Sequence, residues 1–457
     1  MPSTNDASTV LPACLLSNGR YTVMTSATGS GFSRWCGLSL TRWREDATAP
    51  TDGSYLIVRD TAGGLPWSVT AQPFGFPAPA AGLRLSNGHA QYRRRRGALA
   101  ATLAVAVLPD IDGELRSLVL RNAGATARTV DVTTYTELVL GAAAADAAHP
   151  AFSKLFIETD WDAQRGALLA TRRRRSPDES PVWIAHHVVV DPADADGGRS
   201  AESDRARFLG RGRPLSRANA LNDLGALSGT VGAVLDPVFS LRCRVRVEPG
   251  AHVRLNAWTV VASTREGALA ACDATRTAAA RERAFADAGA HERDVASGLG
   301  IGAAERAQFQ RMIAPLLTAD PAWRARPDAI AGGTGGAPVL WAHGISGDRA
   351  IVLVEARDDA GAARAARTML AQRYWQALGL GVDVVVLAAD GVRPAVDAAA
   401  SAQRAQPAGV PAAAVFVLAE REVTDTLRRG LAAAARIVRD VPLPDAGAAP
   451  LAERAGR

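Results

Sequence analysis

Residues 98–140 read ALAATLAVAVLPDIDGELRSLVLRNAGATARTVDVTTYTELVL. Leu99, Leu103, Val105 and Val107 alternate with smaller residues, the period-two pattern of a strand with one buried face. Pro109-Asp110 and Asp112-Gly113 supply turn chemistry and the chain returns as LRSLVLRN, so the spacing predicts a β-hairpin. Asn122-Ala123-Gly124 then turns the chain into ARTVDVTTYTELVL, rich in the Thr and Val that suit a pleated surface. Further strands are expected upstream at Arg20–Thr25 and Ser54–Arg59. Downstream they are expected at Lys154–Thr159, Gly166–Thr171, Val182–Val190, Val238–Val247 and His252–Ser263. Strands at this spacing with turns between them make the chain mainly β, a large antiparallel sandwich over 1–265. Within it, Asp191–Asp204 reads as a polar loop, and Arg205–Asp236 as irregular with a short helix near Leu215.

The texture changes at Glu266. Residues 266–335 read as a helical linker, with amphipathic runs at Glu266–Ala288 and Ala303–Leu317, the second ended or kinked by Pro315. Pro327–Pro338 reads as a loop. Residues 336–441 alternate apolar strands (Ala350–Glu355, Val382–Ala388, Ala413–Leu418) with helices (Ala360–Leu378, Thr424–Arg439). That pattern signals a small α/β unit with a buried, parallel sheet. Residues 442–457 read as a loose Pro/Ala-rich tail.

Of 457 residues 48% are hydrophobic, enough for a substantial core, and 52 basic against 46 acidic residues leave a net charge of +6. Lys154 is the single lysine. Such an arginine and alanine bias suits a high-GC bacterial genome, and a nucleic-acid binder should gather its charge in one stripe. Here Arg93–Arg96 and Arg172–Arg175 each lead into an apolar strand and read as solvated strand ends. Cys14, Cys36, Cys243 and Cys272 have neither metal spacing nor a disulfide framework, which fits a reducing compartment. The first twenty residues lack the pattern of a signal peptide, and no apolar run reaches the length of a membrane span, about 18 residues.

Residues 16–73 carry the densest chemistry: LSNGRYTVMTSATGSGFSRWCGLSLTRWREDATAPTDGSYLIVRDTAGGLPWSVTAQP. Indole faces stack on the C–H faces of pyranoses, while arginine and carboxylates bond hydroxyls. The candidate carbohydrate-binding residues are therefore Arg34, Trp35, Arg42, Trp43, Arg44, Glu45, Asp46, Trp67 and Gln72. The competing reading is structural, tryptophans closing the sandwich edge under stacked arginines; Trp67 and Gln72 lean that way, and Trp161 and Trp183 are read as core. Glu45-Asp46 is no catalytic pair, because neighbours on a strand point to opposite faces. His343, Ser346 and Asp348 suggest a hydrolase triad, but the order Gly-Ile-Ser-Gly-Asp, with the strand following it, is no nucleophile elbow. That loop is expected to pack the sandwich against the linker. His186-His187 lacks metal-ligand spacing. No cofactor and no metal is expected.

Several ordered motifs carry a resemblance. GSGFSRWCGLSLTRWRED, GSYLIVRD, WSVTAQP, AFSKLFIETD (151–160), RFLGRGRPL, GTVGAVLDPVFSLRCRVRVEPG and LWAHGISGD (340–348) together resemble glycosyltransferase family 36, grouped with glycoside hydrolase family 94. Within it the likeness is to an internal segment of the cyclic β-1,2-glucan synthase type. The resemblance implies a β-supersandwich and a helical linker, with catalysis in an (α/α)6 barrel. The barrel's Trp-Asn-Asp-like motif is not found in this sequence, so no catalytic residue is assigned. The implied role is a carbohydrate-binding and scaffolding segment. Its implied partners are a β-glucan, β-1,2-linked, and neighbouring glycosyltransferase and phosphorylase-like modules, with no nucleic acid and with a homodimer left open. The implied location is cytoplasmic, tethered to the inner membrane only through a parent synthase. An active transferase or phosphorylase domain, and a purely structural interdomain or dimer-interface module, are the alternatives.

Overall fold

The computed structural model describes residues 9–46, 51–77, 83–86, 88–192, 196–333, 336–402 and 413–439. The expected tail at 442–457 lies outside the described residues. The chain divides into two compact units: residues up to Ala314 together with Tyr374–Leu380 form the first, and Pro315–Arg373 with most residues from Gly381 onward form the second.

The first unit contains two nine-stranded sheets among the described residues. One runs in the order Thr9–Leu11, Leu83–Ser86, His89–Arg96, Leu99–Val107, Gly113–Asn122, His252–Ala262, Trp183–Asp191, Ala167–Arg172 and Ile157–Asp162. The other runs Asp196–Asp204, Pro237–Val247, Arg128–Gly141, Leu38–Thr41, Gly31–Trp35, Tyr21–Ser26 and Ala13–Ser17, with Tyr55–Asp60 and Trp67–Ser68 branching from it. Every pairing within them is antiparallel. The expected hairpin pairs Leu99 with Asn122 through Val107 with Glu114. Its alternating Leu99, Leu103, Val105 and Val107 enter one core with Val130, Val132, Leu241 and Val245 of the other sheet. Each such side chain contributes about 1.5–3 kcal/mol by leaving water. The fold is thus mainly β, a large antiparallel sandwich.

Histidines 186 and 187 show how the layers are tied. Adjacent on one strand, they point to opposite faces. His186 places its ring nitrogens 3.0 Å from the hydroxyls of Thr259, on its own sheet, and Thr134, on the other. His187 faces outward, where Cys272 of the helix Arg265–Ala274 lies 3.2 Å from its Nδ1.

Several expectations are corrected. Asp196–Asp204 is a strand paired with Pro237–Val247, not a loop. Its polar composition suits a sheet edge, and two register shifts accommodate its irregular spacing. The strand expected from Lys154 begins at Ile157, because Pro150–Lys154 winds into a helical turn with proline at its favoured first position. Arg93–Arg96 is itself strand: Arg93 and Arg95 are exposed, while Arg94 and Arg96 reach over the Phe76 ring at 5.5 and 5.6 Å. Trp161 and Trp183 are half-buried at the core margin.

After the sandwich come the helices Arg265–Ala274, Ala278–Gly298 and Ala303–Arg311. The break near Pro315 falls at Met312, and Ile313–Leu317 follows as a separate turn.

The second unit carries a four-stranded parallel sheet in the order Val415–Ala419, Val382–Ala388, Ala350–Ala356, Ile437–Arg439. The helix expected to run to Arg439 stops at Ala434, and Ile437–Arg439 becomes the fourth strand. A three-residue strand has too little periodicity to separate it from a helix end. Pro327–Pro338 includes the helical turn Pro327–Ala331 and the start of another, Ala337–Trp341, rather than loop alone.

Candidate functional site

The longest strand, Arg128–Gly141, organises the site by having two successive partners along one edge. Tyr55–Asp60 pairs with Val130–Tyr135, and Leu38–Thr41 pairs further on at Leu138 and Gly141. Between these partners the backbone N–H of Arg42 donates to the Glu137 carbonyl at 3.0 Å, and the chain then leaves the sheet. The fork leaves a cleft of about 590 Å³ over Tyr135 and Glu137.

Its walls are charged and paired. Arg42 is buried and donates Nε and Nη2 to the two oxygens of Asp146 at 3.0 and 2.9 Å, and Nη1 to Glu137 Oε2 at 2.6 Å. Glu137 Oε1 accepts from Arg205 Nε at 2.6 Å and from the Tyr135 hydroxyl at 2.9 Å. Lys154 Nζ lies 2.7 Å from Asp236 Oδ1, and Arg205 Nη1 lies 3.4 Å from Asp236 Oδ2. Arg44, half-exposed at the rim, stands 4.0 Å from Asp146. Asp52 also lines the cleft, with Pro73, Pro150, Ala151, Pro214 and Leu215 supplying apolar wall.

This arrangement separates its carboxyl groups. Burial alone would raise the Glu137 pKa, but Arg205 and Arg42 outweigh it and hold the carboxyl below its ordinary value. Burial, with Glu137 nearby, pushes Asp52 above its own. Burial also raises Tyr135, keeping it a hydrogen-bond donor. Burial weakens Arg42's hold on its proton, but bonds to Asp146 and Glu137 more than offset this. Bidentate arginine–carboxylate pairs of this kind fix geometry as well as charge.

Of the residues singled out in the sequence, Arg42 and Arg44 line the cleft. Arg34 lays its guanidinium 4.0 Å over the Phe32 ring, and Trp43 meets the same ring edge-on at 5.6 Å. Trp35 donates Nε1 to Asp112 at 2.7 Å and packs on the sandwich core. Trp67 is inside that core. Gln72 gives its carbonyl to the hydroxyls of Ser68 and Thr70 at 2.6 and 2.7 Å, in the turn that delivers Pro73 to the cleft. Glu45 and Asp46 are exposed beyond Arg44. The three tryptophans thus have three different settings. Asp52, Tyr135, Glu137, Lys154 and Arg205 were not singled out. Only Lys154 carried a signal, being the one lysine in an arginine-rich chain.

Two other constellations have different partners from those a reactive site would need. Burial pushes the Cys272 thiol up to about 11 and His187 well below its ordinary value, so this pair does not form a thiolate and imidazolium. In the second unit Ser346 accepts from the Trp341 indole and the Asp348 backbone, not from His343. Leu340 and Ile345 of that loop bury in the α/β core. Among the described residues no group of His, Cys, Asp or Glu is placed to hold a metal, and no helix is long and apolar enough to cross a membrane.

The architecture defines a β-supersandwich module carrying a polar, charge-paired cleft. The chain belongs to the glycosyl hydrolase 94 supersandwich-domain family, whose model matches residues 3–278. It is 36% identical over 386 residues to the cyclic beta-(1,2)-glucan synthase NdvB of Rhizobium meliloti (strain 1021). That match covers 84% of this chain and 14% of the synthase, so the chain spans about one seventh of that relative. Similar solved structures include a bacterial glucoamylase complexed with acarbose, at 6% identity and a TM-score of 0.39, covering 70% of this chain and 42% of that one. A putative kojibiose phosphorylase from the human microbiome is 6% identical with a TM-score of 0.33, covering 61% and 34%. Neither likeness is close enough to bear on fold or activity; the family membership identifies a carbohydrate-related module.

Proposed function

We propose that the chain is a carbohydrate-binding and scaffolding segment of a cyclic β-1,2-glucan synthase-type enzyme, and that the glucan rests in the cleft at the strand fork. The observation that carries this reading is the balance of charge there. Arg42, Arg44, Lys154 and Arg205 face Asp52, Glu137, Asp146 and Asp236 in and directly behind the walls. A site for a polyanion needs surplus cations. A neutral polyol is instead held by donors and acceptors set side by side, which is what paired guanidinium and carboxylate groups present. On this reading Trp43, Glu45 and Asp46, next along the chain from Arg42 and Arg44, form the approach, and Arg34, Trp35, Trp67 and Gln72 serve the framework behind it. The segment holds a β-1,2-linked chain for glycosyltransferase and phosphorylase-like modules, with 1–265 as the binding domain, 266–335 as linker and 336–441 as the α/β unit.

Calorimetric titration with β-1,2-gluco-oligosaccharides tests the proposal. Arg44→Ala, half-exposed at the rim, should weaken binding about tenfold, the loss of one charged hydrogen bond, with the unfolding midpoint unchanged. Absence of binding by the wild-type chain to any β-glucan removes the proposal.

A further inference from the structure

Lys154 is one lysine among 52 lysines and arginines, and it stands on the wall of the cleft. The one-turn helix Pro150–Lys154 turns Pro150, Ala151 and Lys154 toward the cavity, as positions i, i+1 and i+4 share a face. The Lys154 side chain is 13% exposed.

Ion pairing alone does not account for the residue type. Elsewhere this chain pairs its well-buried carboxylates with arginine, as in Arg42–Asp146 and Arg244–Asp131. An ammonium is a compact point charge with three rotatable donors, whereas a guanidinium is a rigid planar fork. Asp236 is already approached by Arg205 at 3.4 Å and by Arg42 at 3.9 Å, so a third fork has little room beside it. Among the described residues Asp236 is the one ion-pair partner of Lys154, at 2.7 Å. Three donors with one such partner leave N–H groups for an occupant of the cavity.

We infer that Lys154 is a ligand-contacting residue of this cleft, donating from Nζ to hydroxyl oxygens of an uncharged, hydroxyl-rich glycan while Asp236 holds the ammonium in place. The inference rests on the carbohydrate-binding reading and specifies one residue of it. The carboxylates around the cavity neutralise the ammonium's charge, so the site selects for hydroxyl geometry and not for an anionic group.

The test uses the full chain and a linear β-1,2-gluco-oligosaccharide. Lys154→Met should weaken binding about 10- to 100-fold, the usual loss for a charged hydrogen bond. Lys154→Arg keeps the charge and should still lose about tenfold, because the fork does not fit beside Asp236. Reductive methylation of the unaltered protein gives a second readout that needs no variant. Lys154 is the single side-chain amine, so saturating oligosaccharide should slow its methylation at least severalfold, with the α-amino group as internal control. Wild-type binding with unchanged affinity in Lys154→Arg and an unprotected amine overturns the inference and leaves the binding reading standing. Loss of wild-type binding to every β-glucan overturns both.

Discussion

His186 and Glu137 show two ways in which this sandwich uses buried polarity. His186 joins the sheets through Thr134 and Thr259, and burial lowers its pKa from 6.5 to about 4. The unfolded chain therefore takes up a proton near pH 6.5 that the folded chain refuses until about pH 4. The stabilisation is intact above pH 6.5 and drains away as pH falls toward 4, about 2 kcal/mol of it by pH 5. His187 is lowered in the same direction. Urea unfolding at pH 7.5 and 5.0 should show the lower midpoint at pH 5, and His186→Gln should reduce the difference. Equal midpoints for the unaltered protein would sink the idea. Glu137 behaves oppositely in range: its depressed pKa makes its contribution disappear only below the ordinary carboxylate range, so pH 5 separates the two.

Among the elements, the fork depends on tight geometry beside it. Gly31–Trp35 and Leu38–Thr41 are joined by the two residues Cys36 and Gly37, with Trp35 paired to Leu38. Both turn residues have positive φ, 48° at Cys36 and 82° at Gly37, the type I′ pattern that favours Asn-Gly. A left-handed conformation costs an ordinary residue roughly 1–2 kcal/mol. Cys36 is exposed, so Cys36→Asn should raise stability by about 0.5–1 kcal/mol without altering the cleft, read as a higher denaturant midpoint at unchanged slope. Opposite the same short strand, Leu140 also has a positive φ of 48°, within the register shift between Leu138 and Gly141. Such a bulge bends the strand locally within its pairing with Leu38–Thr41. Gly31 is needed for close packing, since an added Cβ would lie 2.0 Å from the Met24 carbonyl oxygen.

For the molecule as a whole the net charge is +6, and among the described residues the cations of the cleft and of the neighbouring sheet are ion-paired. If the cleft holds a neutral glucan, affinity should change less than about twofold between 50 and 500 mM salt, since no counterions are released. A tenfold fall over that range, measured by calorimetry, would indicate an anionic ligand.

Period-two alternation at Leu99–Val107 and turn residues at Asp112-Gly113 and Asn122–Gly124 were enough to read the sandwich, because burial of one strand face is written locally. The ordered motifs of residues 16–73 and 340–348 were enough to read the family, and Arg42 and Arg44 were legible as members of a polar site. What the linear chain could not contain is the fork. Glu137 lies 95 residues from Arg42 and 68 from Arg205, yet bonds to both. Arg42 reaches Glu137 from the edge where the long strand changes partner, while Arg205 arrives from the opposite edge, at the end of Asp196–Asp204, which pairs with Pro237–Val247. Tertiary structure likewise separated the tryptophans, sending Trp67 to the core, Trp35 to Asp112 and Trp43 to Phe32. Sequence determined which surfaces are buried; long-range strand pairing decided which charges share a cavity.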